Sequence, residues 1–76
     1  ESEKVLCYPN PASDYIHLSG VDKNNQFSIS IIDISGKVIL KTGTSLHINT
    51  SDIPAGNYIV KAITNGDLTT HRLVIQ

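Results

Sequence analysis

Apolar and polar residues alternate with a period of two along most of this chain of 76 residues. Phe27, Ile29 and Ile31 are separated by serines, and the run around Tyr58 and Val60 shows the same alternation. Successive side chains of a strand point to opposite faces, so this pattern indicates strands with one buried face and one exposed face. β-branched residues dominate the runs, and no apolar stripe at helical spacing competes with them.

Turn residues separate these runs at short intervals. Asn65-Gly66 predicts a two-residue type I′ hairpin, because both residues tolerate positive φ. This turn places Thr64 opposite Asp67 and puts His71 on the same face as Tyr58. Asp33 followed by Gly36 predicts a type I turn with a glycine bulge. The resulting strands are expected at 5–8, 14–18, 27–33, 37–41, 45–49, 57–64 and 67–75.

Strands without helices in so short a chain predict an all-β fold, an immunoglobulin-like antiparallel β-sandwich of about seven strands. Residues 1–4 are expected to be a frayed linker remnant and residues 5–76 a single domain, cut from the end of a longer protein. Tyr58 follows a Pro/Gly corner, which is typical of the tyrosine corner of such sandwiches. The expected core comprises Leu6, Tyr15 or Ile16, Phe27, Ile29, Ile31, Val38, Leu40, Leu46, Ile48, Tyr58, Val60 and Leu73.

The sequence offers no pattern of catalytic or cofactor-binding residues. No serine lies in a Gly-x-Ser-x-Gly elbow, and the three histidines have no base beside them in sequence. Cys7, His17, His47 and His71 lack the close spacing of metal ligands, and the polar stretch 22–26 lacks the glycine and glutamate of a calcium loop. We therefore expect no enzyme activity, no metal and no cofactor, with Cys7 as a small core residue.

Charge and hydropathy exclude two classes of partner. The net charge is −1, which gives no basic surface for nucleic acid. No apolar run approaches the roughly 18 residues of a membrane-spanning helix, so we expect no membrane insertion. The single cysteine cannot form an intramolecular disulfide.

Four segments occur in an order and spacing that exceed the general pattern of a sandwich. They are Tyr8–Tyr15 with its Pro-Asn-Pro, Ile31–Val38, Ile53–Tyr58, and the apolar last strand that ends at Gln76. Together they resemble the type A C-terminal sorting domain of the type IX secretion system. The resemblance covers nearly the whole chain, from about Val5 to Gln76.

The resemblance implies that this chain is a sorting signal for a covalently attached upstream cargo. Such a domain directs its cargo through an outer-membrane translocon, and a sortase-like peptidase usually removes it at the cell surface. The implied protein is secreted by way of the periplasm and reaches the cell surface or medium, and the domain is expected to be a monomer. Candidate sorting residues are Tyr8, Pro9, Asn10, Pro11, Asp33, Gly36, Lys37, Pro54, Gly56, Tyr58, Leu73, Val74, Ile75 and Gln76. The chain departs from the family in ending on Gln76 rather than on a basic residue.

Two alternatives stay open at the level of sequence. The chain could instead be a non-catalytic fibronectin-like or carbohydrate-binding accessory module, and a sugar site would usually require exposed aromatic residues. The Pro-Asn-Pro segment could be a stiff recognition element that resists strand pairing, or only a turn. The last strand is expected to pair with Asn57–Val60 and to present its other edge for a partner to extend.

Overall fold

Seven strands form two antiparallel sheets in the computed structural model, which describes residues 5–21, Asn24 and residues 26–76. The strands are β1 (Leu6–Tyr8), β2 (Tyr15–Ser19), β3 (Phe27–Asp33), β4 (Val38–Thr42), β5 (His47–Asn49), β6 (Gly56–Thr64) and β7 (Asp67–Ile75). The smaller sheet has the order β1-β2-β5 and the larger one the order β4-β3-β6-β7. This arrangement confirms the predicted all-β sandwich. The described residues include no helix that could cross a membrane.

The two hairpins of the larger sheet have the predicted turns. Asn65 and Gly66 have φ values of 54° and 85°, as a type I′ turn requires, and Thr64 pairs with Asp67. His71 pairs with Val60 without a bulge and is partly buried. In the other hairpin Gly36 has a φ of 93°, and its N–H donates to the Asp33 carbonyl oxygen at 3.0 Å.

The inner faces of the two sheets form one apolar core. The predicted core residues Ile16, Ile29, Ile31, Leu46, Ile48, Tyr58, Val60 and Leu73 are buried. Phe27, Leu40 and Cys7 are partly buried and pack against this core, as expected. Six residues outside the predicted core are also buried: Val5, Ala12, Leu18, Ile53, Ala62 and Ile75.

Two predicted core positions, Leu6 and Val38, are wrong, and of the alternatives Tyr15 and Ile16 it is Ile16 that lies in the core. Leu6 and Tyr15 are 49% and 43% exposed, because the pairing of Cys7 with Leu18 and the burial of Ile16 put their neighbours on the inner face. Val38 is 52% exposed. Its strand contains an irregularity that pairs Val38 with Ile32 instead of continuing the register from Ile31, so the alternation changes face.

Candidate recognition site

The segments that suggested the family converge at one end of the four-stranded sheet. Asp33 pairs with Tyr58, and Tyr58 pairs with Leu73, so the ends of β3, β6 and β7 form one row. Two positions further along, Gly56 pairs with Ile75, which forms a parallel bridge with Ala12. We call this region, which comprises Asn10–Ala12, Asp33–Lys37, Pro54–Tyr58 and Leu73–Gln76, the motif end of the sheet.

The side chain of Asn10 takes the place of a strand partner beside β7. Asn10 Nδ2 donates to the Arg72 carbonyl oxygen at 2.8 Å, and the Val74 N–H donates to Asn10 Oδ1 at 3.1 Å. The flanking residues Pro9 and Pro11 have no N–H to offer a strand. An Asn amide carries both a donor and an acceptor, so it can satisfy the two backbone groups that the prolines leave unpaired.

Backbone pairing resumes directly after the second proline. The Ala12 N–H donates to the Val74 carbonyl oxygen at 2.8 Å, and the Gln76 N–H donates to the Ala12 carbonyl oxygen at 2.8 Å. The last strand pairs with Asn57–Val60 as predicted, but the prediction of an open edge is wrong along Arg72–Gln76. The chain's own Asn10–Ala12 segment covers this edge. The proline segment therefore does more than turn the chain. Within it, only the prolines themselves lack bonds to the strand.

The turn that begins at Asp33 stabilises the β3–β4 hairpin at the motif end. Asp33 Oδ1 accepts hydrogen bonds from Ser35 Oγ at 2.7 Å, Ser35 N–H at 2.9 Å and Lys37 N–H at 2.9 Å. These bonds, the one from the Ser35 hydroxyl foremost, hold the pKa of the Asp33 carboxyl below its ordinary value. The turn leaves the Lys37 side chain exposed to solvent.

The tyrosine corner lies at the same end. The Tyr58 hydroxyl donates to the Pro54 carbonyl oxygen at 2.6 Å, and the ring is buried. This bond confirms the structural role expected for Tyr58 and ties the loop that carries Pro54 to β6.

The motif end presents some of the candidate residues and buries others. Pro9, Asn10, Pro11, Lys37, Pro54 and Gln76 are exposed, and Val74 is half-buried. Leu73 and Ile75 are buried in the core, where a partner cannot touch them in the folded domain. Tyr8 lies apart from the motif end, since its ring packs against His17 on the smaller sheet with ring centroids 5.6 Å apart.

Sequence reasoning missed Ala12 and Arg72. Both contribute backbone groups to the contact with β7. Almost every residue type has these groups, so the sequence does not show which residues use them. The one available signal was Asn10 between two prolines, since a polar amide at a position without neighbouring donors favours a side-chain bond to backbone.

The cysteine is protected within the fold. Burial raises the pKa of the Cys7 thiol to about 11, so the thiolate is suppressed near neutral pH.

Over the described residues, no group of three or more His, Cys, Asp or Glu side chains converges as a metal site. The polar stretch 22–26 lies largely outside the residues that the structure describes, and the predicted frayed segment 1–4 lies wholly outside them.

Comparison with known proteins bears on whether the chain is a sorting domain or an accessory module. None of the curated proteins compared matches the chain. A domain of PorZ, a bacterial surface component of the type-IX secretion system of Porphyromonas gingivalis, has the same fold with a TM-score of 0.73 and 19% identity. That match covers 95% of this chain but only 11% of PorZ, so the chain spans about a ninth of that protein.

The family comparison covers almost the whole chain. Residues 6–76 match the model of the secretion system C-terminal sorting domain, which confirms the resemblance seen in the sequence. A domain of this kind marks a secreted protein for export across the outer membrane. The chain therefore belongs to the family of type IX secretion C-terminal sorting domains.

Proposed function

We propose that the folded motif end is the surface by which an outer-membrane translocon recognises this domain and exports the cargo attached upstream of it. The observation that carries this proposal is the bonding of Asn10 to Arg72 and Val74, which joins segments that lie 62 and 64 residues apart. It builds one contiguous surface from segments that are separate in the sequence.

The burial pattern favours recognition of a folded surface over recognition of a linear tail. Leu73 and Ile75 point into the core, and both edges of β7 are hydrogen-bonded near its end. A partner that read these residues as an extended peptide would first have to separate them from the core. The exposed prolines, Asn10 and Lys37 instead offer a preorganised shape that binds without an ordering cost.

Removal of the domain is the second part of the proposal. A sortase-like peptidase that leaves the folded domain intact would cut before Val5, which is buried and directly precedes β1. The domain itself serves as a non-catalytic monomeric signal, and the cargo carries the activity of the whole protein. The cargo is then released or held at the cell surface, where PorZ, which contains a similar domain, is a component of the secretion system.

An export assay with a matched pair of lysine variants tests recognition. A fluorescent cargo carrying this chain at its C-terminus is expressed in a type IX-competent cell, and fluorescence is measured in the periplasm, at the surface and in the medium. Lys37→Glu reverses an exposed charge within the motif end, whereas Lys41→Glu makes the same change at an exposed position in β4. We expect Lys37→Glu to retain cargo in the periplasm and Lys41→Glu to export it normally.

A second pair separates the surface from the stability of the fold. Asn10→Ala removes the bonds to β7. Asn49→Ala removes bonds that reach only Ser51, in the loop between β5 and β6. Both purified domains are first checked for a cooperative unfolding transition. Full surface delivery of folded Lys37→Glu and Asn10→Ala would show that the translocon does not read the motif end.

A further inference from the structure

Two histidines that lie far apart in the sequence face each other on the smaller sheet. His17 of β2 pairs directly with His47 of β5, and their ring centroids are 6.0 Å apart. The inner-face residues Ile16, Leu18 and Ile48 are buried beside them, so the two imidazoles lie on the solvent face. Sequence spacing could not reveal this pair, because the contact is made across strands.

Two tyrosines flank the pair and orient its rings. The Tyr15 ring stacks on His47 with centroids 4.8 Å apart and an interplanar angle of 19°, and the Tyr8 ring packs against His17 at 5.6 Å. None of the hydrogen bonds found among the described residues occupies a ring nitrogen of His17 or His47. The nitrogens are therefore available to an external ligand.

The separation of the rings suits a shared metal ion. Metal–nitrogen bonds to histidine are about 2.0–2.1 Å long and a ring nitrogen lies about 1 Å from its centroid, so a shared ion lies about 3 Å from each centroid. Rings with centroids 6.0 Å apart can both reach such an ion after a rotation of their side-chain torsions. Imidazole nitrogens favour Zn²⁺, Ni²⁺ and Cu²⁺ over hard cations such as Mg²⁺.

We propose that His17 and His47 form a two-imidazole binding site for a divalent transition-metal ion, with water in the remaining coordination positions. The site lies on the face of the three-stranded sheet and uses none of the residues of the motif end. It is therefore independent of the proposed sorting function, and either proposal can fail without the other.

The third histidine provides an internal control. His71 pairs with Val60 and points to the inner face, where its Nε2 is buried without a hydrogen-bond partner. It shares the residue type of the proposed ligands but not their access to solvent. The binding experiment uses a Cys7→Ser background, because a thiol is itself a ligand for these metals.

The test is a titration of the chain with Zn²⁺, followed by NMR of the imidazole ring protons, with Mg²⁺ as the matched cation. We expect the signals of His17 and His47 to shift together at a ratio of one ion per chain, while those of His71 stay in place and Mg²⁺ has no effect. Threonine is favoured in strands, so the variants His17→Thr and His47→Thr should retain the fold. Loss of a residue that only orients a metal ligand weakens metal binding by about 10- to 100-fold. Loss of either imidazole ligand should therefore weaken Zn²⁺ binding at least as much.

Several results would overturn the proposal. Zn²⁺ could leave all three histidines unshifted, or shift His71 as much as the other two. Binding that survives either threonine variant at undiminished affinity would show that the two rings do not act together. Dispersed amide spectra of both variants confirm that the comparison is made between folded chains.

Discussion

At the scale of single residues, the motif end depends on Asn10. Its side chain donates to one backbone group of β7 and accepts from another, which is the bonding that a neighbouring strand would supply. An edge strand with unpaired backbone groups promotes pairing with other chains. Asn10 therefore protects the last strand at the position where flanking prolines prevent ordinary backbone pairing.

We expect Asn10→Ala to lower the free energy of unfolding by about 1–3 kcal/mol, because it removes two hydrogen bonds that each contribute about 0.5–1.5 kcal/mol. Urea denaturation measures the change. Asn49→Ala is the control, since its side chain bonds only to Ser51, two residues along the chain, and we expect a smaller loss. Equal stability of Asn10→Ala and the unchanged domain would contradict the proposed role of Asn10.

We expect Cys7 to react slowly with iodoacetamide at pH 8 in the folded domain and rapidly in urea. Burial raises the pKa of the thiol from 9.0 to about 11, so the reactive thiolate is scarcer in the folded state. Because the folded pKa is the higher one, the thiol favours the folded state below pH 9 and this contribution is lost as the pH rises toward 11. Alkylation at the same rate in both states would refute this protection.

At the scale of elements, the β3–β4 hairpin depends on a carboxylate within its turn. Asp33 accepts bonds from Ser35 and Lys37, and the Asp33 N–H also donates to the Lys37 carbonyl oxygen at 2.9 Å. The turn is thereby closed from both the side chain and the backbone. Since Asp33 also pairs with Tyr58, the hairpin is joined to the tyrosine corner at the motif end.

We expect the stability difference between the unchanged domain and Asp33→Asn to shrink as the pH is lowered from 7 to 3. The folded pKa of Asp33 lies below its ordinary value of 3.8, so its stabilising effect is complete above the unfolded pKa and is lost as the pH falls through the folded pKa. Thermal unfolding of the two proteins across this range measures the difference. Asp52→Asn is the matched control. A stability difference between the unchanged domain and Asp33→Asn that does not change with pH would contradict the role of the Asp33 carboxylate.

At the scale of the whole molecule, the segment after β1 closes the sandwich against β7. Asn10 and Ala12 follow a strand of the smaller sheet, while Arg72–Gln76 belong to the end of the larger sheet. The contact between them joins the two sheets through hydrogen bonds as well as through the apolar core. The motif end therefore lies where the two sheets are joined.

We expect deletion of Leu73–Gln76 to abolish the cooperative unfolding transition, whereas deletion of Gln76 alone leaves it nearly unchanged. The larger deletion removes the buried Leu73 and Ile75, and loss of one such side chain costs about 2–5 kcal/mol. Gln76 has an exposed side chain and contributes one backbone bond to Ala12. Circular dichroism and thermal melts distinguish these outcomes, and a folded product of the larger deletion would contradict this account.

The loss of folding in the larger deletion also affects an export assay. A deletion of the tail would unfold the domain, so it cannot reveal whether the tail itself is recognised. Substitutions at the exposed positions of the motif end avoid this difficulty, because they leave the core intact.

Much of the fold followed from short stretches of sequence. The alternation of residues around Phe27–Ile31 and Tyr58–Val60 identified the strands, and Asn65-Gly66 predicted both the turn and the register of β6 with β7. These features depend on interactions within a few residues, such as side-chain alternation and the φ values that a residue tolerates. The sorting family followed from the order of four such local motifs.

Tertiary structure alone decided which residues meet across the fold. The sequence could not show that Asn10 bonds β7, that His17 faces His47, or that a register irregularity turns Val38 outward. Each of these facts depends on the pairing of strands from distant parts of the chain, which no local pattern encodes. Alternation predicts that a strand has two faces, but the neighbouring strands determine which face is buried and which edge is covered.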